Sequence, residues 1–362
     1  MALDRITLSR FRNHAHSALD GTAQFNLLVG ENGAGKTNIL EAISLLAPGR
    51  GLRRAALDAM ASEAGDGGFT IGASLFAPDA AEPVQIGTAV DPARQGRRRV
   101  RVNGAESSAV SLGEWLAIGW LTPAMDGIFT GSAGDRRRFL DRMALALDPG
   151  HARQASRYEA ALRERNRLLS DDAPPDPAWL DGIEAQMAEH GSALARGRAR
   201  LVSALGETLA IHPDEPFARP LLSIQTDSPF EEGTLCEALK GNRTQDRRAG
   251  RTLIGPHRDD LAVIMAGKSA PAASCSTGEQ KAMLIAMTLA HGELAARGRP
   301  GVLLLDEVAA HIDPVRRKAL FDRLRDTGAQ VWMTGTELGP FEAIQGDAAI
   351  WRVSDGALER LS

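Results

Sequence analysis

Residues Gln24–Thr37 read QFNLLVGENGAGKT, which is a short apolar segment, a glycine-rich loop and then Lys36-Thr37 at the start of an apolar helical pattern. The spacing is that of a phosphate-binding loop, G-x-x-x-x-G-K-T, whose backbone N–H groups surround phosphate oxygens. Lys36 is expected to reach the β- and γ-phosphates, and the Thr37 hydroxyl to bind Mg²⁺. The predicted phosphate-binding residues are Gly30, Glu31, Asn32, Gly33, Ala34, Gly35, Lys36 and Thr37.

A second motif lies near the other end of the chain, where Gly301–Glu307 read GVLLLDE. A continuous apolar run of this length is typical of a strand that is buried on both faces of a parallel sheet. At its end, Asp306 is expected to hold Mg²⁺ through water, and Glu307 to polarise the attacking water. The alternative, a core strand followed by a charged turn, is disfavoured once the phosphate-binding loop is present.

A third motif, CSTGEQ at Cys275–Gln280, precedes the apolar helical pattern KAMLIAMTLA. Ser276 and Gly278 at a helix start offer a hydroxyl and backbone N–H groups to an anion. Two such helix starts in one chain suggest a composite site, in which a second chain's Ser276 and Gly278 close on the γ-phosphate. An ordinary N-cap with Glu279 in the first turn also fits these residues.

The three motifs in this order resemble the ABC-type ATPases, and in particular their SMC-like DNA repair branch. Four further segments resemble sequences of the RecF family, and they are distributed over nearly the whole chain. They are Ile6–His14 (ITLSRFRNH), Trp120–Arg142 (WLTPAMDGIFTGSAGDRRRFLDR), Gly255–Leu261 (GPHRDDL) and Leu303–Asp313 (LLLDEVAAHID).

The resemblance implies an α/β fold, an ABC/SMC-type P-loop ATPase head with a mixed sheet plus a compact helical insertion domain. It implies ATP and Mg²⁺ as cofactors, catalytic roles for Lys36, Asp306 and Glu307, and nucleotide contacts from Arg12 and Asn13. The implied function is that of an ATP-dependent homodimer that binds double-stranded or gapped DNA. With RecO and RecR it would promote RecA loading in gap repair, replication restart and SOS induction.

Two positions depart from the family pattern. Ala124 stands where a Gln or Glu follows the proline of the switch loop, so Asp126 is the alternative contact to the metal or water. Thr334 and Thr336 follow the last core strand in place of a histidine, and a threonine can orient phosphate but cannot act as a cation. We assign Thr336 to the nucleotide site and expect slow, DNA-stimulated hydrolysis.

Two other functions stay open. A non-catalytic, ATP-gated DNA clamp or scaffold fits Ala124. A transporter's nucleotide-binding subunit is disfavoured by the long segment between Lys36 and Ser276 and by the missing histidine.

Arginines are the candidate DNA ligands, although the net charge is −4. Arg94–Arg101 read RQGRRRVR, with no acidic residue in the run. Aromatic residues are only 4% of the chain, which favours contact with the duplex backbone over stacking on single-stranded bases. Solvated faces and ion pairs are the alternative for these side chains. The predicted DNA-binding residues are Arg94, Arg97, Arg98, Arg99, Arg101, Arg137 and Arg138.

The motif positions predict a discontinuous ATPase head over 1–134 and 250–362, with a helical insertion over 135–249. In the head, antiparallel strands are expected at Ile6–Phe11, Gly68–Phe76, Val84–Val90 and Arg97–Val102, joined to a parallel nucleotide-binding core. In the insertion, helices are expected at 136–147, 152–169 and 177–211, without the sustained heptads of a coiled coil.

The remaining features concern the compartment and one histidine. Cys236 and Cys275 show no paired spacing, which indicates a reducing cytoplasm and no zinc site. No apolar run approaches the length of a membrane span, so no membrane partner is expected. His311, in the turn after Glu307, is interpreted as a surface residue.

Overall fold

The computed structural model describes residues 2–76, 82–94, 96–171, 173, 175–226, 233–296, 298–309 and 312–362. The chain divides into two units. The first unit contains residues 1–126, 212–219 and 276–362, and the second contains 127–211 and 220–275. Compared with the boundaries expected from the sequence, 127–134 and 250–275 lie in the second unit, and 212–219 lies in the first.

The α-helices in the described part of the chain are α1 (Lys36–Ser44), α2 (Leu112–Trp115), α3 (Ala133–Leu147), α4 (Gly150–Leu169), α5 (Pro177–Ile211), α6 (Leu235–Gly241), α7 (Arg243–Ala249), α8 (Thr277–Ala295) and α9 (Pro314–Asp326). The strands there are β1 (Leu3–Phe11), β2 (His14–Asp20), β3 (Phe25–Val29), β4 (Phe69–Leu75), β5 (Val84–Val90), β6 (Arg98–Val102), β7 (Ala105–Ser107), β8 (Ala117–Leu121), β9 (Pro220–Gln225), β10 (Asp260–Met265), β11 (Ala270–Pro271), β12 (Gly301–Leu305), β13 (Gln330–Gly335), β14 (Ala348–Ser354) and β15 (Ala357–Arg360).

The described residues of the first unit form two six-stranded sheets. The antiparallel sheet has the order β2-β1-β4-β5-β6-β7. The second, mainly parallel sheet has the order β15-β14-β3-β13-β12-β8. In the second sheet, β14, β3, β13, β12 and β8 run parallel, and β15 pairs antiparallel with β14. The predicted antiparallel strands are therefore present, but they form a sheet of their own instead of joining the parallel core.

The parallel core places the two predicted phosphate motifs at one sheet edge. Strands β3 and β12 are buried along their full length, as their apolar runs require. Strand β13 lies between them and pairs in parallel with both. The carboxyl ends of parallel strands meet at the same edge, so the loop after β3 and the carboxylates after β12 come together there.

The second unit is mainly helical, with α3 to α7 and a three-stranded antiparallel sheet of order β11-β10-β9. The three long helices predicted from the sequence are present. The first two, α3 and α4, begin at 133 and 150 instead of 136 and 152, and α5 has the expected bounds. The small sheet was not predicted. It explains the shifted boundary, because β10, which begins within GPHRDDL, pairs with β9 along its whole length.

Candidate nucleotide site

The phosphate-binding loop curls tightly between β3 and α1. Gly35 has φ of 113°, and a Cβ there would lie 2.7–2.8 Å from the side chains of Asn13 and His14. Only glycine fits this combination of backbone conformation and close approach. One loop carbonyl, Ala34 O, accepts hydrogen bonds from residues outside the loop: Asn13 Nδ2 and the Gly356 amide each donate to it at 3.0 Å. Glu31, Asn32 and Gly33 form the exposed crown of the loop.

The Lys36 side chain folds back over this loop. Its Nζ donates to Gly30 O at 2.7 Å and to Glu31 O at 2.8 Å. Burial lowers the pKa of Lys36, although the negative charges of Glu307 and Asp306 act to raise it. In the described residues the ammonium is hydrogen-bonded to two carbonyls, at the place where a loop of this motif would surround a phosphate.

Three side chains converge on the end of β12. Thr37 Oγ1 donates to Asp306 Oδ1 at 2.9 Å, and Thr334 Oγ1 donates to the same oxygen at 2.8 Å. Burial raises the pKa of Asp306, while these two hydroxyls oppose the shift. The phosphate-binding loop, the β12 carboxylates and the β13 terminus thus form one constellation, as the sequence predicts for Thr37 and Asp306.

This constellation suits Mg²⁺ when a nucleotide is bound. Mg²⁺ takes oxygen ligands and usually keeps several waters, binding through one or two carboxylates together with substrate phosphates. Thr37 and Asp306 supply the hydroxyl and the carboxylate, within 2.9 Å of each other. Among the described residues there is no cluster of three or more His, Cys, Asp or Glu side chains that could hold a metal.

The two N-terminal residues assigned to the nucleotide take different positions. Asn13 holds the loop through Ala34 O and also accepts from Asn38 Nδ2 at 2.8 Å. Arg12 forms a bidentate pair with Glu41, with both N···O distances 2.9 Å. Glu41 is fully buried on α1. The Arg12 guanidinium is therefore fixed beside the helix that follows the phosphate loop.

Sequence reasoning missed two charged residues of this site, Glu41 and Arg53. Arg53 Nη1 donates to Glu41 Oε2 at 3.1 Å and to Asn38 Oδ1 at 2.7 Å. The charge of Arg53 also lowers the pKa of Asp306, although burial raises it overall. A glutamate on the apolar face of a helical pattern was the available signal, because a fully buried carboxylate requires cationic partners.

The start of α8 carries the third motif on the surface. Ser276 is the N-cap and forms a capping box with Glu279, whose side chain accepts from the Ser276 amide at 2.9 Å. Ser276 and Gly278 are exposed. The capping function and the proposed contact with a second chain's nucleotide are compatible, since the capping box leaves this helix start open to solvent.

The switch segment lies in a short 3₁₀ turn, Pro123–Met125. Ala124 is exposed there and offers only a methyl group. Asp126, the alternative contact, accepts a 3.2 Å bond from Lys281 Nζ on α8. In this state Asp126 is therefore paired with a lysine of the motif helix.

Thr336 lies at a cleft of about 690 Å³ on the outer side of the phosphate loop. Its lining includes Gly30, Asn32, Ala34 and Val353. A Cβ on Gly30 would lie 2.1 Å from Val353 O, which accounts for glycine at that position. Thr336 thus lines the same cleft as the loop, and its assignment to the nucleotide stays a prediction. Ala310 and His311 lie outside the described residues.

Arg98, predicted to bind DNA, has another role. Its guanidinium is partly buried and donates to Thr88 Oγ1 at 2.7 Å, to the carbonyls of Gly49 and Ala47 at 2.9 and 3.1 Å, and to that of Leu45. Burial lowers its pKa to about 10. Arg98 caps the segment after α1, because side chains alternate along β6 and this one faces inward. These contacts give Arg98 a structural role, and its assignment to DNA stays a prediction.

The other arginines of this run differ in exposure. Arg99 is paired with Glu106 at 2.5 Å and with Asp91 at 3.7 Å, acidic residues that the fold brings to it from outside the run. Arg94, Arg97 and Arg101 are exposed. They remain candidates for contact with a polyanion.

The two candidate arginines of the second unit lie at the start of α3. Arg137 is partly buried and donates to Asp259 O at 2.6 Å. Arg138 is half exposed and is paired with Asp135 one turn away. Of the two, Arg138 is the more accessible.

The fold and this site define an SMC-type P-loop ATPase head. The family model described as the RecF/RecN/SMC N-terminal domain matches residues 2–356. A protein of Mesorhizobium japonicum named DNA replication and repair protein RecF is 48% identical over 370 residues, covering 98% of this chain and 97% of its own. The chain therefore belongs to the RecF family of DNA replication and repair proteins.

Two solved structures share the fold. One, described as the recombination mediator protein RecF with ATP in the RecFOR pathway, superposes with a TM-score of 0.85 at 24% identity, covering 100% of this chain and 98% of its own. The Smc head domain of Pyrococcus furiosus gives a TM-score of 0.53 at 17% identity, covering 100% of this chain and 96% of that chain. In the described residues, no helix is long and apolar enough to cross a membrane.

Proposed function

We propose that this chain is an ATP-dependent, DNA-binding recombination mediator. It would dimerise on ATP, bind duplex or gapped DNA and, with RecO and RecR, promote RecA loading. The single observation that carries the ATP part is the 2.9 Å hydrogen bond from Thr37 to Asp306, which joins the two phosphate motifs in one site. The protein partners rest on membership of the RecF family, whose relatives carry the name DNA replication and repair protein.

In this proposal the residues of the site have distinct tasks. The backbone N–H groups of Gly30–Thr37 bind phosphate, and Lys36 exchanges its two carbonyl partners for phosphate oxygens. Glu307 orients the attacking water. Mg²⁺, held by Thr37 and Asp306, would neutralise the charge on the phosphates. Loss of the γ-phosphate then removes the contact that favours the dimer, so ATP acts as a switch.

The proposed dimer places a second chain's Ser276–Gly278 against the γ-phosphate. Gly278→Asp tests this contact, because a Cβ at Gly278 has no atom within 4 Å and an acidic residue in a first helical turn is favourable. The new charge should repel phosphate without disturbing the fold. Gly182→Asp, also on open helix surface, introduces the same charge elsewhere and serves as the matched control.

The measurement is sedimentation velocity with and without ATP. Wild type and Gly182→Asp should shift from monomer to dimer when ATP is added. Gly278→Asp should stay monomeric while binding ATP with unchanged affinity. If Gly278→Asp dimerises on ATP as wild type does, then the helix start at Ser276 is not the second half of the site.

A second candidate function, an ATP-gated clamp that does not cycle, is favoured by the switch segment. Ala124 cannot bind metal or water, and Asp126 is paired with Lys281 at 3.2 Å. Single-turnover hydrolysis with and without gapped DNA separates the two functions. Hydrolysis that DNA accelerates supports the cycling mediator, and none in either condition supports the clamp.

A further inference from the structure

We infer that Thr334 is a positioning residue of the nucleotide site, whose hydroxyl fixes both the Asp306 carboxylate and the backbone of Glu307. The inference deepens the proposed function and rests on it, since the two carboxylates have these tasks only where ATP and Mg²⁺ bind. Sequence reasoning assigned the nucleotide contact to Thr336 and gave Thr334 no separate task.

The hydroxyl of Thr334 has two defined partners. It donates to Asp306 Oδ1 at 2.8 Å and accepts from the Glu307 amide at 2.9 Å. A hydroxyl has one proton to donate, and here that proton is used on the carboxylate while a lone pair receives the amide. Thr334 is 1% exposed, so water cannot replace either bond.

The register of the sheet brings these groups together. Strands β12 and β13 are parallel neighbours, and Leu305 is paired with Met333. One residue further along each chain segment, Asp306 directly after β12 therefore lies beside Thr334 of β13. A hydroxyl at this position of β13 is placed to hold the carboxylate that follows β12.

The bond to Asp306 acts on the predicted metal ligand. Thr37 and Thr334 both donate to the same oxygen, Oδ1. Two donors on one oxygen fix the orientation of the carboxylate. Outer hydrogen-bonding partners of this kind orient metal ligands, and their loss typically weakens metal affinity or activity about 10–100-fold.

The bond to Glu307 acts on the backbone. Glu307 has φ of 55°, in the left-handed region that few non-glycine residues adopt. Its amide points at Thr334 Oγ1, so this bond stabilises a conformation that is otherwise disfavoured. The direction of the Glu307 side chain follows from that backbone conformation, and with it the position of the proposed general base.

The test compares Thr334→Ala with Thr334→Ser, which differ from each other by a single oxygen. The first readout is the Mg²⁺ concentration that half-saturates binding of a fluorescent ATP analogue, with binding in EDTA as the reference. The second is hydrogen exchange of the segment 301–309, measured by mass spectrometry. Thr334→Val retains the shape of threonine without its hydroxyl and is used if the alanine variant does not fold.

Thr334→Ala should raise the required Mg²⁺ concentration about 10–100-fold and speed exchange in 301–309, leaving binding in EDTA unchanged. Thr334→Ser should behave as wild type. The inference is overturned if alanine and serine both match wild type. It is equally overturned if they lower binding to the same extent with Mg²⁺ and with EDTA, because that pattern reports packing.

A different result would contradict the proposed function itself: wild-type protein that binds no ATP under any condition. In that case the exchange difference between the alanine and serine variants still decides whether Thr334 holds the Glu307 backbone.

Discussion

Lys36 is the cation of the proposed nucleotide site. Its Nζ is bound to two loop carbonyls, at 2.7 and 2.8 Å, and its side chain is buried. A buried ammonium needs partners of this kind, since an isolated charge is costly to desolvate. Phosphate oxygens are stronger partners than carbonyls because they carry charge. The residue is therefore set to respond to nucleotide.

Lys36→Met should abolish ATP binding, because the variant keeps most of the side-chain length but has no charge to offer the phosphates. Lys318→Met is the control, since Lys318 is exposed on α9 and paired only with Asp322. Titration calorimetry of both variants with ATP measures the difference. Retained ATP affinity in Lys36→Met would contradict the assignment of the phosphate-binding loop.

Strand β6 holds its arginines in two different environments. Arg98 faces inward and binds the carbonyls that follow α1. Arg101, three residues on, is exposed. Successive side chains of a strand point to opposite faces, so a run of basic residues there cannot act as one surface.

Arg98→Met should destabilise the head by about 2–3 kcal/mol, because it removes charged hydrogen bonds to buried acceptors. Arg101→Met should leave stability unchanged and weaken DNA binding. Urea unfolding and DNA titration at fixed salt measure the two effects. If Arg98→Met folds as stably as wild type and Arg101→Met binds DNA normally, then the division of tasks on β6 is wrong.

The GPHRDDL segment is fixed by the helices of the second unit. Arg198 on α5 donates to Pro256 O at 2.6 Å and to Asp259 Oδ2 at 3.2 Å. His257 is bonded to the Tyr158 hydroxyl at 2.7 Å and to Thr252 O at 3.0 Å. Burial lowers the pKa of His257. These contacts fix the turn that contains His257.

Asp141 supports the same cluster and gives it a pH dependence. Burial tends to raise the pKa of Asp141, but its hydrogen bonds with Arg198 and His151 outweigh burial and lower it to about 2. The ionised Asp141 carboxylate therefore stabilises the fold above pH about 4, where Asp141 is also ionised in the unfolded chain. This stabilisation is lost as the pH falls toward 2. The shift corresponds to about 2 kcal/mol.

Asp141→Asn should flatten the loss of stability between pH 5 and pH 3, because asparagine has no proton to take up. Urea unfolding across this range measures the slope, and Asp148→Asn, at an exposed carboxylate, is the control. Equal slopes in wild type and Asp141→Asn would show that Asp141 is not the titrating group.

At the scale of the whole chain, the phosphate loop, the β12 carboxylates and the long helices could be predicted because each is a local pattern of fixed spacing. Glu41 with Arg12 and Arg53, Thr334 with Asp306, and the small β9–β11 sheet could not. Those contacts join residues far apart in the chain, and only strand order and register bring them together. The structural contacts of Arg98 could not be predicted for the same reason, since its carbonyl acceptors on Leu45, Ala47 and Gly49 lie about fifty residues away.

If the proposed function holds, this site controls DNA binding through ATP. Fluorescence anisotropy of labelled gapped duplex DNA, titrated with wild type and with Glu307→Gln, with and without ATP, tests this control. Binding should require ATP and should be tighter for Glu307→Gln, because the bound ATP is not hydrolysed. Binding that is the same with and without ATP in both proteins would contradict it.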